Sequence, residues 1–150
     1  PMLISQKSQY ALRAIFELAR HVGEGPLRVP QIAEAQAIPP KFLGAILHQL
    51  RRGGFVESRR GNEGGYLLAV PPKELTVGRI LRFMEGPVGP VDCLTPNAKR
   101  RCPLDGRCAF MPLWQRVQDA VNVIYDGTTL QDLLDQDRQN AARHAPSFEI

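Results

Sequence analysis

Residues 31–69, QIAEAQAIPPKFLGAILHQLRRGGFVESRRGNEGGYLLA, carry the reading that decides the fold. Two short helices open it. VPQIAEAQAI (29–38) has Pro30 in its first turn, where the missing N–H has no helical partner to lose. PPKFLGAILHQLRRGG (39–54) puts Leu43, Ile46, Leu47 and Leu50 on one apolar stripe before Gly53-Gly54 ends it. Two short helices across a tight turn suit a helix-turn-helix. FVES (55–58) and YLLAV (66–70) then flank RRGNEGG (59–65), whose glycines permit the positive φ angles of a hairpin tip. A helix-turn-helix followed by a hairpin is the order of a winged helix. The expected fold class is therefore mainly α with a small β-hairpin wing.

The flanking segments extend this pattern. SQKSQYALRAIFELARHV (5–22) repeats apolar residues at helical spacing, with Ser5 placed to cap and Gly23 and Gly25 to stop it. Thr76 is placed to cap TVGRILRFMEG (76–86), with Leu75 and Ile80 at the spacing of a hydrophobic staple and Gly86-Pro87 as the break. MPLWQRVQDAVNVIYDG (111–127) sets Leu113, Trp114, Val117, Val121 and Ile124 on one face. Thr128 and Gln131 read as a capping-box pair opening a last helix, with frayed residues beyond it.

Composition narrows the function. With 150 residues and 43% hydrophobic content, the chain has material for one domain, or one domain with an extension. No run reaches the length of a transmembrane helix, and the start, PMLISQKSQYALRAIF, lacks the order of an export signal, so a cytoplasmic protein without a membrane partner is expected. Pro1 ahead of Met2 reads as a processing remnant. Residues 1–90 carry 12 Lys and Arg against 7 Glu, a net of +5; residues 91–150 carry 7 basic against 8 acidic residues, a net of −1. A basic first part suggests a polyanionic partner. An enzyme is not expected. RRGNEGG lacks the Gly-Lys-Ser/Thr ending of a phosphate-binding loop, and no G-x-S-x-G or paired-histidine motif occurs.

All three cysteines fall in CLTPNAKRRCPLDGRC (93–108), among Lys99, Arg100, Arg101 and Arg107. An odd, clustered set in a reducing compartment favours metal or redox chemistry over a structural disulfide. Three readings stand: an iron–sulfur cluster on three thiolates, zinc with a fourth donor, or metal-free thiols that switch on oxidation. The basic neighbours would lower the thiol pKa values and offset thiolate charge.

The 31–69 stretch, LTVGRILRFMEGPV (75–88), the three cysteines and the tryptophan-bearing helix together resemble the IscR–NsrR family of bacterial transcription regulators, over roughly Leu3 to Asn140. The resemblance implies a homodimeric winged-helix protein that binds a double-stranded DNA operator and pairs through the helix at 112–126. It divides the chain into a winged helix-turn-helix domain (1–86), a cysteine loop (87–111), and a long dimerisation helix with a C-terminal helix (112–150). It further implies a cluster, 2Fe-2S or 4Fe-4S, on Cys93, Cys102 and Cys108 as metal ligands, which would sense redox state, iron, nitric oxide or cluster status. Two departures stand out. The first cysteine gap is eight residues where five is common in the family. Met111 replaces the histidine ligand of the IscR branch, and Gln9 replaces the partner-chain aspartate of the NsrR branch. Gln9 or Ser8 of the partner chain, or a small exogenous ligand, is the expected fourth ligand.

Winged-helix geometry assigns the DNA face. With Leu43, Ile46, Leu47 and Leu50 inward, Lys41, Ala45, His48 and Arg52 face the major groove. Arg59, Arg60 and Asn62 sit at a wing tip narrow enough for the minor groove.

Overall fold

The computed structural model describes residues 3–95 and 102–144. Helix α1 spans Gln6–Arg20, and Ser5 caps it by accepting from the Ser8 N–H at 3.2 Å. Its buried face of Ala11, Ala14, Ile15, Leu18 and Ala19 forms the floor of the core. Helices α2 (Val29–Gln36) and α3 (Pro40–Arg52) cross that floor.

The turn between α2 and α3 is built on Ala37, a non-glycine residue in the left-handed region at φ 51°. The Ile38 N–H reaches the Ala33 carbonyl at 3.0 Å and the Ala37 N–H reaches that of Glu34 at 3.4 Å, closing a Schellman-type end. The Arg13 guanidinium donates to the carbonyls of Gln36 and Ala37, so α1 satisfies the last acceptors of α2. Glu17 is buried, and the Gln36 side chain donates to it at 2.8 Å. As the sequence pattern predicts, Leu43, Ile46, Leu47 and Leu50 are the buried residues of α3.

Strands β1 (Val56–Arg59) and β2 (Gly65–Leu68) pair antiparallel, with Val56 opposite Leu68 and Arg59 opposite Gly65. β1 is displaced by one residue from the expected run toward the tip, and β2 begins one residue and ends two residues nearer the tip than expected. A third segment joins them: Leu27 exchanges both backbone hydrogen bonds with Tyr66, at 2.9 and 2.7 Å. Gly65 makes this approach possible, because a Cβ there would stand 2.2 Å from the Leu27 carbonyl oxygen.

Helix α4 (Val77–Glu85) begins at Thr76, whose hydroxyl accepts from the Arg79 N–H at 3.2 Å. Leu75 and Ile80 are both fully buried, in the staple positions. Helix α5 (Met111–Asp126) follows the cysteine loop, and α6 (Leu130–His144) follows α5. The capping box of α6 is Thr129 with Asp132, not Thr128 with Gln131. The Thr129 N–H donates to the Asp132 carboxylate at 2.9 Å and the Thr129 hydroxyl accepts from the Asp132 N–H at 3.0 Å. The Thr128 hydroxyl instead donates back to the Ile124 carbonyl at 2.7 Å, and the Gln131 amide donates to Asp135.

Helix α6 does not extend away from the winged helix. Leu130 and Leu134 enter the same buried cluster as Ile15, Leu47 and Ile80. Backbone bonds from Leu130 to Leu75 and from Val77 to Thr128, both 2.9 Å, tie its start to that of α4. The segment expected as a separate C-terminal part thus completes the N-terminal core.

Candidate nucleic-acid interface and cysteine loop

The four inward residues of α3 fix the opposite side of the helix. Lys41, Ala45, His48 and Arg52 are all exposed, at spacings of four, three and four that keep them on one face. Neither α1 nor α3 has an acidic residue in its first turn, and α3 ends in Arg51 and Arg52. Arg59, Arg60 and Asn62 are exposed on the hairpin. Two hydrogen bonds join the wing to α3. The Arg51 guanidinium donates to the Ser58 hydroxyl at 2.9 Å, and the Phe55 N–H bonds the Leu50 carbonyl at 3.1 Å. Helix face and wing are thus joined into one surface, on which Lys41, Arg52, Arg59 and Arg60 are exposed beside Glu57 and Glu63.

Sequence reasoning missed part of this surface. Phe42 is 47% exposed beside Ala45, and its ring stacks with that of Tyr10 at 6.4 Å between centroids. His21 is held between Glu17 at 3.1 Å and Glu24 at 2.7 Å.

The cysteines stand apart from this surface. Cys93 lies in a 3-10 turn, Asp92–Leu94, and is exposed; Cys102 is exposed; Cys108 is half-buried just before α5. Lys99, Arg100 and Arg101 lie outside the described residues. Among the described residues, no group of three or more His, Cys, Asp or Glu side chains is placed to hold a metal ion. Three thiols on one loop fit an iron–sulfur cluster or zinc in donor chemistry. They are not held in a converged arrangement. Of the two residues expected as a fourth ligand from a partner chain, Ser8 is 1% exposed and its hydroxyl accepts from Ser5 Oγ at 3.1 Å. Gln9 is exposed, with its amide on the Ile4 carbonyl at 3.0 Å.

Helix α5 contains no fully buried residue. Leu113, Val123 and Ile124 are exposed, the last two at 71% and 65%. An Arg82–Asp126 ion pair joins it to α4. Among the described residues, no helix is long and apolar enough to cross a membrane.

Three comparisons bear on this arrangement. Residues 4–136 match the family model Rrf2, described as an iron-dependent transcriptional regulator. The HTH-type transcriptional regulator CymR of Bacillus subtilis (strain 168) is 39% identical over 132 residues, covering 88% of this chain and 89% of CymR. Its solved structure, titled as that of the global cysteine regulator of B. subtilis, superposes with a TM-score of 0.78 over 91% of this chain and 98% of that one. The regulator IscR of Aliivibrio salmonicida is 32% identical over 133 residues, covering 89% of this chain and 77% of IscR. The solved T. potens IscR gives a TM-score of 0.77 at 31% identity, over 97% of this chain and 94% of that one.

Proposed function

The chain belongs to the Rrf2 family of transcriptional regulators, and we propose that it works in the cytoplasm as a homodimer on a pseudo-palindromic operator, controlled through its cysteine loop. It is a regulator and not an enzyme. The observation that carries the operator reading is the exposed row Lys41, Ala45, His48 and Arg52, joined to the wing arginines through the Arg51–Ser58 hydrogen bond. Lys41 and Arg52 neutralise phosphates or read guanine edges, His48 reaches a base or a phosphate, and Arg59, Arg60 and Asn62 enter the minor groove. The apolar face of α5, open to solvent in the single chain, supports pairing with a second copy.

For the loop, the reading is an iron–sulfur cluster on Cys93, Cys102 and Cys108, with Gln9 of a second copy as the reachable fourth donor. When bound, such a cluster supplies iron that responds to oxidants, nitric oxide or iron loss. The chain's own part is to gather three thiolates on a segment tied at one end to α4 and at the other to α5. Because α4 packs in the winged helix and α5 is the proposed pairing element, ordering that segment favours one spacing of the two DNA faces over another. A second reading, a metal-free thiol switch, is favoured by the exposure of Cys93 and Cys102 and by the likeness to CymR.

Anaerobic purification separates the two. The cluster reading expects a brown protein whose visible absorption is abolished by replacing any one cysteine with Ala and altered by Gln9→Ala. Colourless protein that loses operator binding on oxidation would establish the thiol switch instead, and stoichiometric zinc would defeat both.

A further inference from the structure

An apolar cavity of about 350 Å³ opens between the first turns of α1 and α3. Tyr10, Phe42 and Ala45 line it, with Lys7 and Lys41 also in its wall. The Lys41 ammonium lies 4.9 Å from the centroid of Phe42, and the Arg13 guanidinium lies 5.1 Å from that of Tyr10. A half-exposed phenyl ring in an apolar notch, ringed by cations and by no acid in either first turn, has no use for that surface within its own chain. The complementary partner presents an apolar group a few ångströms from fixed negative charge.

Double-stranded DNA has that pairing at one base. The 5-methyl group of thymine projects into the major groove on the side nearest its own sugar–phosphate backbone, and Phe and Ala are among the side chains that contact it. Ala45 belongs both to the notch and to the exposed row of α3, so the notch is continuous with the DNA face. Resting on the operator-binding reading above, we propose that the Tyr10–Phe42–Ala45 notch reads a thymine methyl in the operator while Lys7 and Lys41 engage the flanking phosphates.

The test begins with duplexes selected by the wild-type protein from a random-sequence pool. Each dT of the selected duplex is then replaced singly by dU, which lacks only the methyl group. Binding should weaken about four-fold at one position per half-site, the equivalent of about 0.8 kcal/mol for one apolar carbon returned to water. Phe42→Ala should bind the dT and dU duplexes equally, and Lys41→Gln should keep the dT preference while lowering the salt dependence. Thermal unfolding checks that both variants are folded, as the exposure of both residues implies. Equal binding of every dU duplex by the wild type, or a dT preference that survives Phe42→Ala, would overturn the proposal. A change in oligomeric state in Phe42→Ala with the preference intact would overturn it in favour of a second copy of this chain. Failure to enrich any duplex would instead overturn the operator-binding reading itself.

Discussion

The backbone N–H of Ser5 donates to Glu85 Oε1 at 2.7 Å, joining the start of α1 to the end of α4 across eighty residues of sequence. The hydroxyls of Ser5 and Ser8, with that N–H, hold the Glu85 carboxyl below its usual value of 4.5, and burial opposes them weakly. A carboxyl lowered by folding stabilises the folded state above its unfolded pKa, and that contribution is lost as pH falls through the folded value. Glu85→Gln should therefore lower the melting temperature at pH 7, and the difference from wild type should shrink as pH drops below about 4.5. Thermal denaturation across pH 3–7 measures it; a constant difference would contradict the assignment. Gly86 follows directly, so this contact also anchors the entry to the cysteine loop.

Two glycines should respond oppositely to the same substitution. Gly44 lies inside α3 with nothing within 4 Å of where a Cβ would stand. Gly44→Ala should stabilise the fold by about 0.5–1 kcal/mol, through the lower backbone entropy of the unfolded chain. Gly65, at φ 149° with Leu27 against it, has no such room. Gly65→Ala should destabilise by more than about 1 kcal/mol and detach the Leu27 segment. Urea unfolding of both variants supplies the comparison.

Ile124 is mostly exposed on α5, so a charge there leaves the single chain intact. Ile124→Glu should sediment as a monomer with an unchanged melting profile at low concentration, and Val121→Asp, at a half-buried position, should also sediment as a monomer. A dimer persisting in both variants would move the pairing surface away from α5.

Binding to the operator should fall linearly in log affinity against log salt. Arg60→Ala should cost about 1–3 kcal/mol if Arg60 reaches a base edge, whereas Arg52→Ala, if Arg52 neutralises a phosphate, should lower the salt slope by about one. Titrations at several salt concentrations distinguish the two roles.

The helices were legible because their signals are local. Ser5 and Thr76 cap through their own hydroxyls, and the stripe from Leu43 to Leu50 needs only helical phase. The error at Thr128 arose from a tie. Adjacent threonines offered two frames, and the Gln131 partner fitted the commoner motif, whereas Asp132 makes the reciprocal bonds. The exposed face of α3 followed from knowing the buried stripe. The notch did not, because it exists only once Tyr10 of α1 comes beside Phe42 of α3, and no periodicity in either helix encodes that meeting. The return of α6 was hidden for the same reason, since its two buried leucines look like those of any amphipathic helix.

That return bears on how the protein is made. Leu130 and Leu134 fill a core otherwise assembled from residues 11–80. On the ribosome α1 to α4 emerge first, but the place of those leucines in the core stays open until α6 has also emerged. Until then the core beneath α1 and α3 lacks two of its buried leucines. The N-terminal core therefore closes only after the cysteine loop and α5 have been laid down.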